Sequence, residues 1–194
     1  MTKIFFVCHP EISDHVHGRG FLTSQGTLHA KSLRAYLKAE KFESVYVSPF
    51  PYTKQTASIL TAGRHIEIHN HVLIRALDFG VLEKMLEHFL QSDSTVISEW
   101  WKNQEPNMIF PGGENLESLR RRVKRFITQM ADRHDQKSIL VVSHKSTIAM
   151  VSLISNQLDN ESFFNVENWP YSGSSNLLEV NREANSLDFQ IGIS

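Results

Sequence analysis

The sequence predicts an α/β protein built on a mainly parallel sheet with helices on both faces. Three observations lead there. Short continuous runs of β-branched and aromatic residues at Ile4–Cys8, Val45–Val47 and Ile139–Ser143 read as strands buried on both faces, because a half-exposed strand would alternate apolar and polar residues. Helical patterns separate these runs, and strands that alternate with helices pair in parallel through crossover connections. No repeat, low-complexity tract or Gly/Ser-rich linker divides the 194 residues, so 1–194 reads as a single domain.

Each element follows from local chemistry. Ile4–Cys8 is the first strand, and a polar loop leads from His9 to Thr23. Ser24–Glu40 is predicted as a helix whose apolar stripe is Leu28, Leu33, Tyr36 and Leu37. After the strand Val45–Val47, Pro51 suits the first turn of a helix running to Thr61, with Gly63 as its stop signal. Ile66–Ile68 reads as a short strand. Val81–Leu90 and Val96–Lys102 read as helices of a middle region. Gln104–Glu114, with Pro106 and Pro111-Gly112-Gly113, is a loop. Asn115 is placed to cap a long helix to His134, in which Leu116, Leu119, Val123, Phe126 and Met130 recur at spacings of three and four. Ile139–Ser143 is a strand, Ser146–Ser155 a helix, and Asn176–Val180 and Leu187–Ile191 the last strands.

Composition narrows the function classes. Hydrophobic residues at 41% and charged residues at 21% are wrong for a disordered chain. A formal charge of −1 and a pI of 6.8 argue against a nucleic-acid partner, which would need a basic excess. The single Cys8 cannot form an intramolecular disulfide, which suits a reducing compartment. No stretch approaches the ~20 apolar residues of a membrane span. Ile4–Cys8 is shorter than the core of a signal peptide, which takes at least about seven residues. A cytoplasmic protein with no membrane partner is expected. The oligomeric state is left open.

Two of the buried runs end in histidine, at His9 and His144. In parallel sheets, ligands bind beyond the carboxyl ends of the strands. If the two strands are neighbours, both imidazoles lie at one rim. There they can serve as a nucleophile toward phosphorus, a general base, or a donor to a phosphate. A matched pair of this kind outweighs the simpler reading of two strand-capping side chains.

Other signals are weaker. His15-Val16-His17 and His69-Asn70-His71, with His65, could suggest a metal site, but there is no Cys pair and no His-Glu-x-x-His helix, so neither a metal nor a cofactor is expected. Arg120-Arg121-Arg122, with Lys124 and Arg125, reads as the solvated face of an amphipathic helix. Trp100-Trp101 reads as helix packing.

The motifs together carry a family resemblance. Phe5-Phe6-Val7-Cys8-His9-Pro10-Glu11 resembles the Arg-His-Gly-Glu signature of the histidine phosphatase superfamily, the phosphoglycerate-mutase-like proteins. Leu22-Thr23-Ser24-Gln25-Gly26 is similar to the family's Leu-Thr-x-x-Gly segment, and Val47-Ser48-Pro49 through Gln55-Thr56-Ala57 to its Ser-Ser-Pro-(x)-Arg-Ala-x-Gln-Thr-Ala stretch. Asp78-Phe79-Gly80, Pro111-Gly112-Gly113-Glu114 and Val141-Val142-Ser143-His144 follow in family order. The resemblance implies a three-layer α/β/α sandwich with a mainly parallel central sheet, and a small helical cap insertion over residues 78–112. It also implies a phosphohistidine mechanism. In that scheme His9 attacks phosphorus, His144 and two arginines hold the phosphoryl oxygens, a glutamate protonates the leaving group, and water cleaves the phosphohistidine. Planar guanidiniums suit this task because they bind phosphoryl oxygens bidentately.

The departures from that pattern are specific. The first arginine falls on Cys8, and the signature glycine on Pro10. Counting back from Thr56, the second arginine falls on Tyr52. Counting back from Gly80, the acid falls on Ala76. Lys145 replaces the glycine after the second histidine. Arg19, Lys54 and Lys145 are the candidate replacement cations, and Glu11, Asp78, Glu83 and Glu114 the candidate acids. For each of these, a solvated surface charge is the simpler reading. Two functions follow. Either the chain hydrolyses phosphomonoesters through a phosphohistidine at His9, or it is an inactive relative that binds a small phosphorylated molecule or a phosphoprotein. A histidine-based metal hydrolase is a third, remoter reading.

Overall fold

The structure, a computed structural model, describes residues 1–13, 20–82, 94–181 and 186–190. Its six-stranded sheet has the order β3-β2-β4-β1-β5-β6. The strands are β1 (Thr2–Cys8), β2 (Ser44–Val47), β3 (Ile68–Asn70), β4 (Ser138–Ser143), β5 (Ser175–Asn181) and β6 (Ser186–Gln190). The pairs β3–β2, β2–β4 and β4–β1 are parallel, and β5 and β6 extend the sheet antiparallel. The predicted mainly parallel α/β sheet is thus present, with an antiparallel edge.

The helices are α1 (Ser24–Tyr36), α2 (Pro51–Leu60), α3 (Ser94–Asn103), α4 (Leu116–Arg133) and α5 (Lys145–Ser155). Strand alternation explains the three layers. From β1, Ile4, Phe6 and Cys8 join a core with residues of α4 and α5, while Phe5 and Val7 join a second core with Leu33, Leu37, Ala57 and Leu60 around α1 and α2. β4 divides in the same way, Ile139 and Val141 to the first core, Leu140 and Val142 to the second. Burial of each such large side chain is worth about 1.5–3 kcal/mol, so the continuous apolar runs secure both layers at once. In α3, Trp100 packs against Phe79, Phe110 and Phe164, and Trp101 against Phe164 and Trp169.

Several predicted details are corrected. The first helix stops at Tyr36, and Leu37–Ala39 tightens into a 3₁₀ turn. Leu28 and Tyr36, expected on its apolar stripe, are 57% and 67% exposed. The actual stripe is Gly26, Ala30, Leu33 and Leu37, all buried, at spacings of four, three and four. The short strand lies at Ile68–Asn70 rather than Ile66–Ile68, because parallel pairing places Ile68 opposite Val45. It is an edge strand with Ile68 exposed, so apolar content is a poor guide to its position. Arg122, expected in the solvated face of α4, is 7% exposed. Of the predicted helix Val81–Leu90, all but Val81 and Leu82 lies outside the described residues. No described helix is long and apolar enough to cross a membrane.

Candidate active site at the carboxyl rim of the sheet

The site is a consequence of strand order. β4 lies between β1 and β2, and all three run parallel. Their carboxyl ends align, with Cys8 opposite Ser143 and Val47 opposite Val142. The residues that follow, His9, His144 and Ser48, therefore leave the sheet side by side. The His9 amide donates to the Ser143 carbonyl at 3.1 Å, and the Ser48 amide to the Val142 carbonyl at 3.1 Å. The His9 and His144 ring centroids are 5.3 Å apart.

The two imidazoles have different surroundings. Nδ1 of His9 lies 2.9 Å from the Pro10 carbonyl oxygen. A carbonyl only accepts, so in the neutral ring Nδ1 holds the proton and Nε2 keeps its lone pair. That is the tautomer a nucleophile requires. His144 is buried, with Nε2 2.7 Å from Ser48 Oγ and Nδ1 3.4 Å from the Tyr52 hydroxyl. Burial, reinforced by neighbouring His9 and Arg122, holds its pKa well below the ordinary 6.5. His144 is thus neutral at neutral pH, and each of its ring nitrogens faces a side-chain hydroxyl of the chain itself.

The positions where the resemblance calls for arginine are filled by neutral side chains. Cys8 is 0% exposed, and burial pushes its thiol up to about 12. It is a protonated core residue, not a reactive thiolate. Tyr52 is buried, with its ring 4.5 Å from His9 and 5.6 Å from His144. Phe50 stacks on Tyr52 at 5.6 Å and stands edge-on to His144 at 5.0 Å.

The candidate replacements are scattered. Lys145 opens α5 directly after His144 and is exposed, and Lys54 is exposed on α2. Arg19 and Glu83 lie outside the described residues. Glu11 is exposed, and its carboxylate accepts from Thr23 Oγ1 at 2.7 Å. Asp78 accepts from the Gly80 amide at 2.9 Å through one oxygen, and its other oxygen lies 3.9 Å from Arg75. Glu114 is buried and bound in a fork by Arg122, with contacts of 2.6 Å from Nη2 and 3.0 Å from Nε. The same guanidinium donates to the carbonyls of Leu73, Arg75 and Ala76 at 2.7–2.8 Å. The pair therefore secures the segment that would have carried the acid.

Sequence reasoning gave Ser48, Phe50 and Arg122 no part in this site. Two signals were available. Ser48 follows a buried strand, as His9 and His144 do. Arg122 sits three residues after Leu119 and four before Phe126, on the apolar face of its helix.

The rim also collects two helix starts. α2 begins after Phe50 and α5 after His144, and neither cap residue closes its helix with a side-chain hydrogen bond. The amino ends of helices favour an anion electrostatically. Among the described residues, no group of three or more His, Cys, Asp or Glu side chains is arranged to hold a metal ion.

Paired histidines at the rim of a six-stranded α/β sandwich define a phosphoglycerate-mutase-like protein. The chain matches the histidine phosphatase superfamily (branch 1) over residues 4–190 and belongs to that superfamily. It is 29% identical to phosphoserine phosphatase 1 of Hydrogenobacter thermophilus over 150 residues, which cover 74% of this chain and 71% of that protein. It is 25% identical to the adenosylcobalamin/alpha-ribazole phosphatase of Salmonella typhimurium over 155 residues, 77% of each chain. YhfR of Bacillus stearothermophilus superposes with a TM-score of 0.85 at 20% identity, covering 100% of this chain and 98% of that one. The alpha-ribazole phosphatase of Shigella flexneri gives 0.81 at 21%, covering 99% and 96%. These last two likenesses are of fold.

Proposed function

We propose that this chain binds a small phosphorylated molecule in the His9–His144 cleft and turns it over slowly, if at all, at neutral pH. One observation carries the reading: Cys8 and Tyr52 stand where the pocket arginines belong, and Tyr52, with Ser48, engages the ring nitrogens of His144. A transferring phosphoryl group needs preorganised positive charge, which is the largest expected catalytic contribution. Two hydrogen bonds to charged groups, each worth about 1.5–3 kcal/mol, correspond to about 10²–10⁴ in rate or affinity. Loss of a general acid removes a further factor of about 10²–10⁴. Binding is supported by the amino ends of α2 and α5 and by Lys145, with Lys54 and Arg19 as further cations. Residues 1–194 act as one domain, with 78–112 as its cap. The single buried thiol suits a reducing cytoplasm, and the near-neutral charge suits a ligand other than nucleic acid.

A second reading, phosphomonoester hydrolysis through a phosphohistidine, is favoured by the tautomer of His9. Nε2 would attack phosphorus as the ester P–O bond breaks. The departing oxygen would then need a proton, and water would cleave the P–N bond. The test is calorimetric titration with inorganic phosphate alongside steady-state hydrolysis of p-nitrophenyl phosphate, for the wild type and His9→Ala. Binding that is lost in His9→Ala, with turnover near background, supports the first reading. Robust turnover abolished by His9→Ala establishes the second instead.

A further inference from the structure

A row of rings leads away from His9, and its chemistry says what fits beside it. Four rings adjoin along it. His9 lies 4.5 Å from Tyr52, and Tyr52 lies 5.6 Å from Phe50 with the two planes inclined by only 15°. His144 meets Phe50 and Tyr52 edge-on at 5.0 and 5.6 Å. The result is a continuous series of ring contacts that begins at the imidazole of His9 and ends at Phe50. Tyr52 is buried within it, whereas Phe50 is only partly buried, anchored on the small apolar cluster of Ile12, Leu22, Ala30 and Tyr52.

Phe50 is also unusually fixed. It lies between Pro49 and Pro51. A residue before proline is driven out of the helical region, and Phe50 adopts φ −73°, ψ 145° accordingly. Pro51 then starts α2 with its own φ preset. The ring is thus presented on a backbone with little freedom left to lose, which lowers the entropic cost of stacking against it.

We propose that Phe50 is a specificity-determining residue of the cleft, and that the ligand is a phosphomonoester bearing a planar aromatic group, its phosphoryl end at His9 and its ring against Phe50. This rests on the reading of the cleft as a phosphoryl site. Aromatic pairs favour offset or edge contacts beyond simple area burial, by an amount equivalent to about two- to tenfold in affinity.

The experiment compares phenyl phosphate with cyclohexyl phosphate, which matches it in size and charge but lacks the flat ring. Inorganic phosphate serves as the reference for the phosphoryl end. Dissociation constants are measured by calorimetry for the wild type, Phe50→Leu, Phe50→Trp and His9→Ala, with thermal melts to show that each variant is folded. The wild type is expected to prefer phenyl phosphate about two- to tenfold. Phe50→Leu should abolish that preference, and Phe50→Trp should retain it. A wild type without preference, or a preference unchanged in folded Phe50→Leu, overturns the assignment of Phe50 while leaving the phosphoryl site standing. If no phosphate binds, or if binding is indifferent to His9→Ala, the underlying reading fails and the assignment with it.

Discussion

Replacing Arg122 by methionine should be among the most damaging single changes in this protein. Its guanidinium is buried, grips both oxygens of buried Glu114, and donates to the carbonyls of Leu73, Arg75 and Ala76. Methionine keeps the stem and removes every donor. Glu114 is then left as a buried carboxylate, with Arg75, 3.7 Å away, as its remaining ion-pair partner among the described residues. Removing one partner of a buried pair costs about 3–5 kcal/mol, most of it the penalty on the charge left behind. For a chain of this length each kcal/mol lowers Tm by about 2–4 °C, so a fall of about 6–20 °C is expected. The effect should reach the cleft. The released segment also accepts from Ser143 Oγ at Ile74 and from Thr147 Oγ1 at Arg75, next to His144. Urea denaturation of wild type, Arg122→Met, Arg122→Lys and Arg122→Met/Glu114→Gln measures the argument. Lysine keeps the charge without the fork and should fall between wild type and methionine. Neutralising Glu114 should recover part of the methionine loss, giving a non-additive cycle. A loss below about 1 kcal/mol for Arg122→Met, in the range of an exposed ion pair, would refute the reasoning.

Three further outcomes are expected. Stability should fall in two stages on acidification. The depressed pKa of buried His144 gives stability that is complete above the unfolded value near 6.5 and erodes below it, and His144→Gln should flatten that stage. The carboxyl of Glu43, held below its ordinary 4.5 chiefly by its hydrogen bond with His134, gives stability that is lost only below 4.5, and Glu43→Gln should remove that stage in pH-dependent denaturation. Cys8→Arg/Tyr52→Arg/Ala76→Glu should raise p-nitrophenyl phosphate turnover by orders of magnitude over wild type, with each single change doing much less because such groups act as a unit; equal rates for the triple variant and wild type would show that the pocket is not merely depleted of charge. Gly113→Ala should lower the denaturation midpoint by an amount equivalent to about 1–3 kcal/mol, because a Cβ there would lie 2.3 Å from the Asp78 carbonyl and 2.7 Å from the Gly80 amide, backbone atoms that cannot step aside.

Much of this molecule is legible from local pattern alone. Runs such as Ile4–Cys8 and Ile139–Ser143 are strands in the structure because only a doubly covered strand needs apolar residues on both faces. Asn115 and Pro51 mark helix starts because their chemistry is local: an Asn115 Oδ1 that accepts the Ser118 amide at 2.9 Å, and a proline ring that presets the first turn. His9 and His144 stand out for the same reason, each terminating a run that could only be a buried strand.

Tertiary structure decided what those residues face. Sequence places Tyr52 where a cation was expected, but only the crossing of α2 over the rim sets its hydroxyl 3.4 Å from His144 and its ring against His9. Glu114 reads as a candidate acid and Arg122 as a solvated charge, yet each is buried against the other across eight residues of sequence. Charge alone does not reveal burial, because a carboxylate or guanidinium enters a core only when a specific partner waits there. The strand order that makes His9, Ser48 and His144 neighbours is likewise a product of long-range pairing, in which β4 inserts between two strands formed far earlier in the chain. Local propensity determined the elements and the two histidines; packing across the sheet determined that they meet beside Ser48, Phe50 and Tyr52.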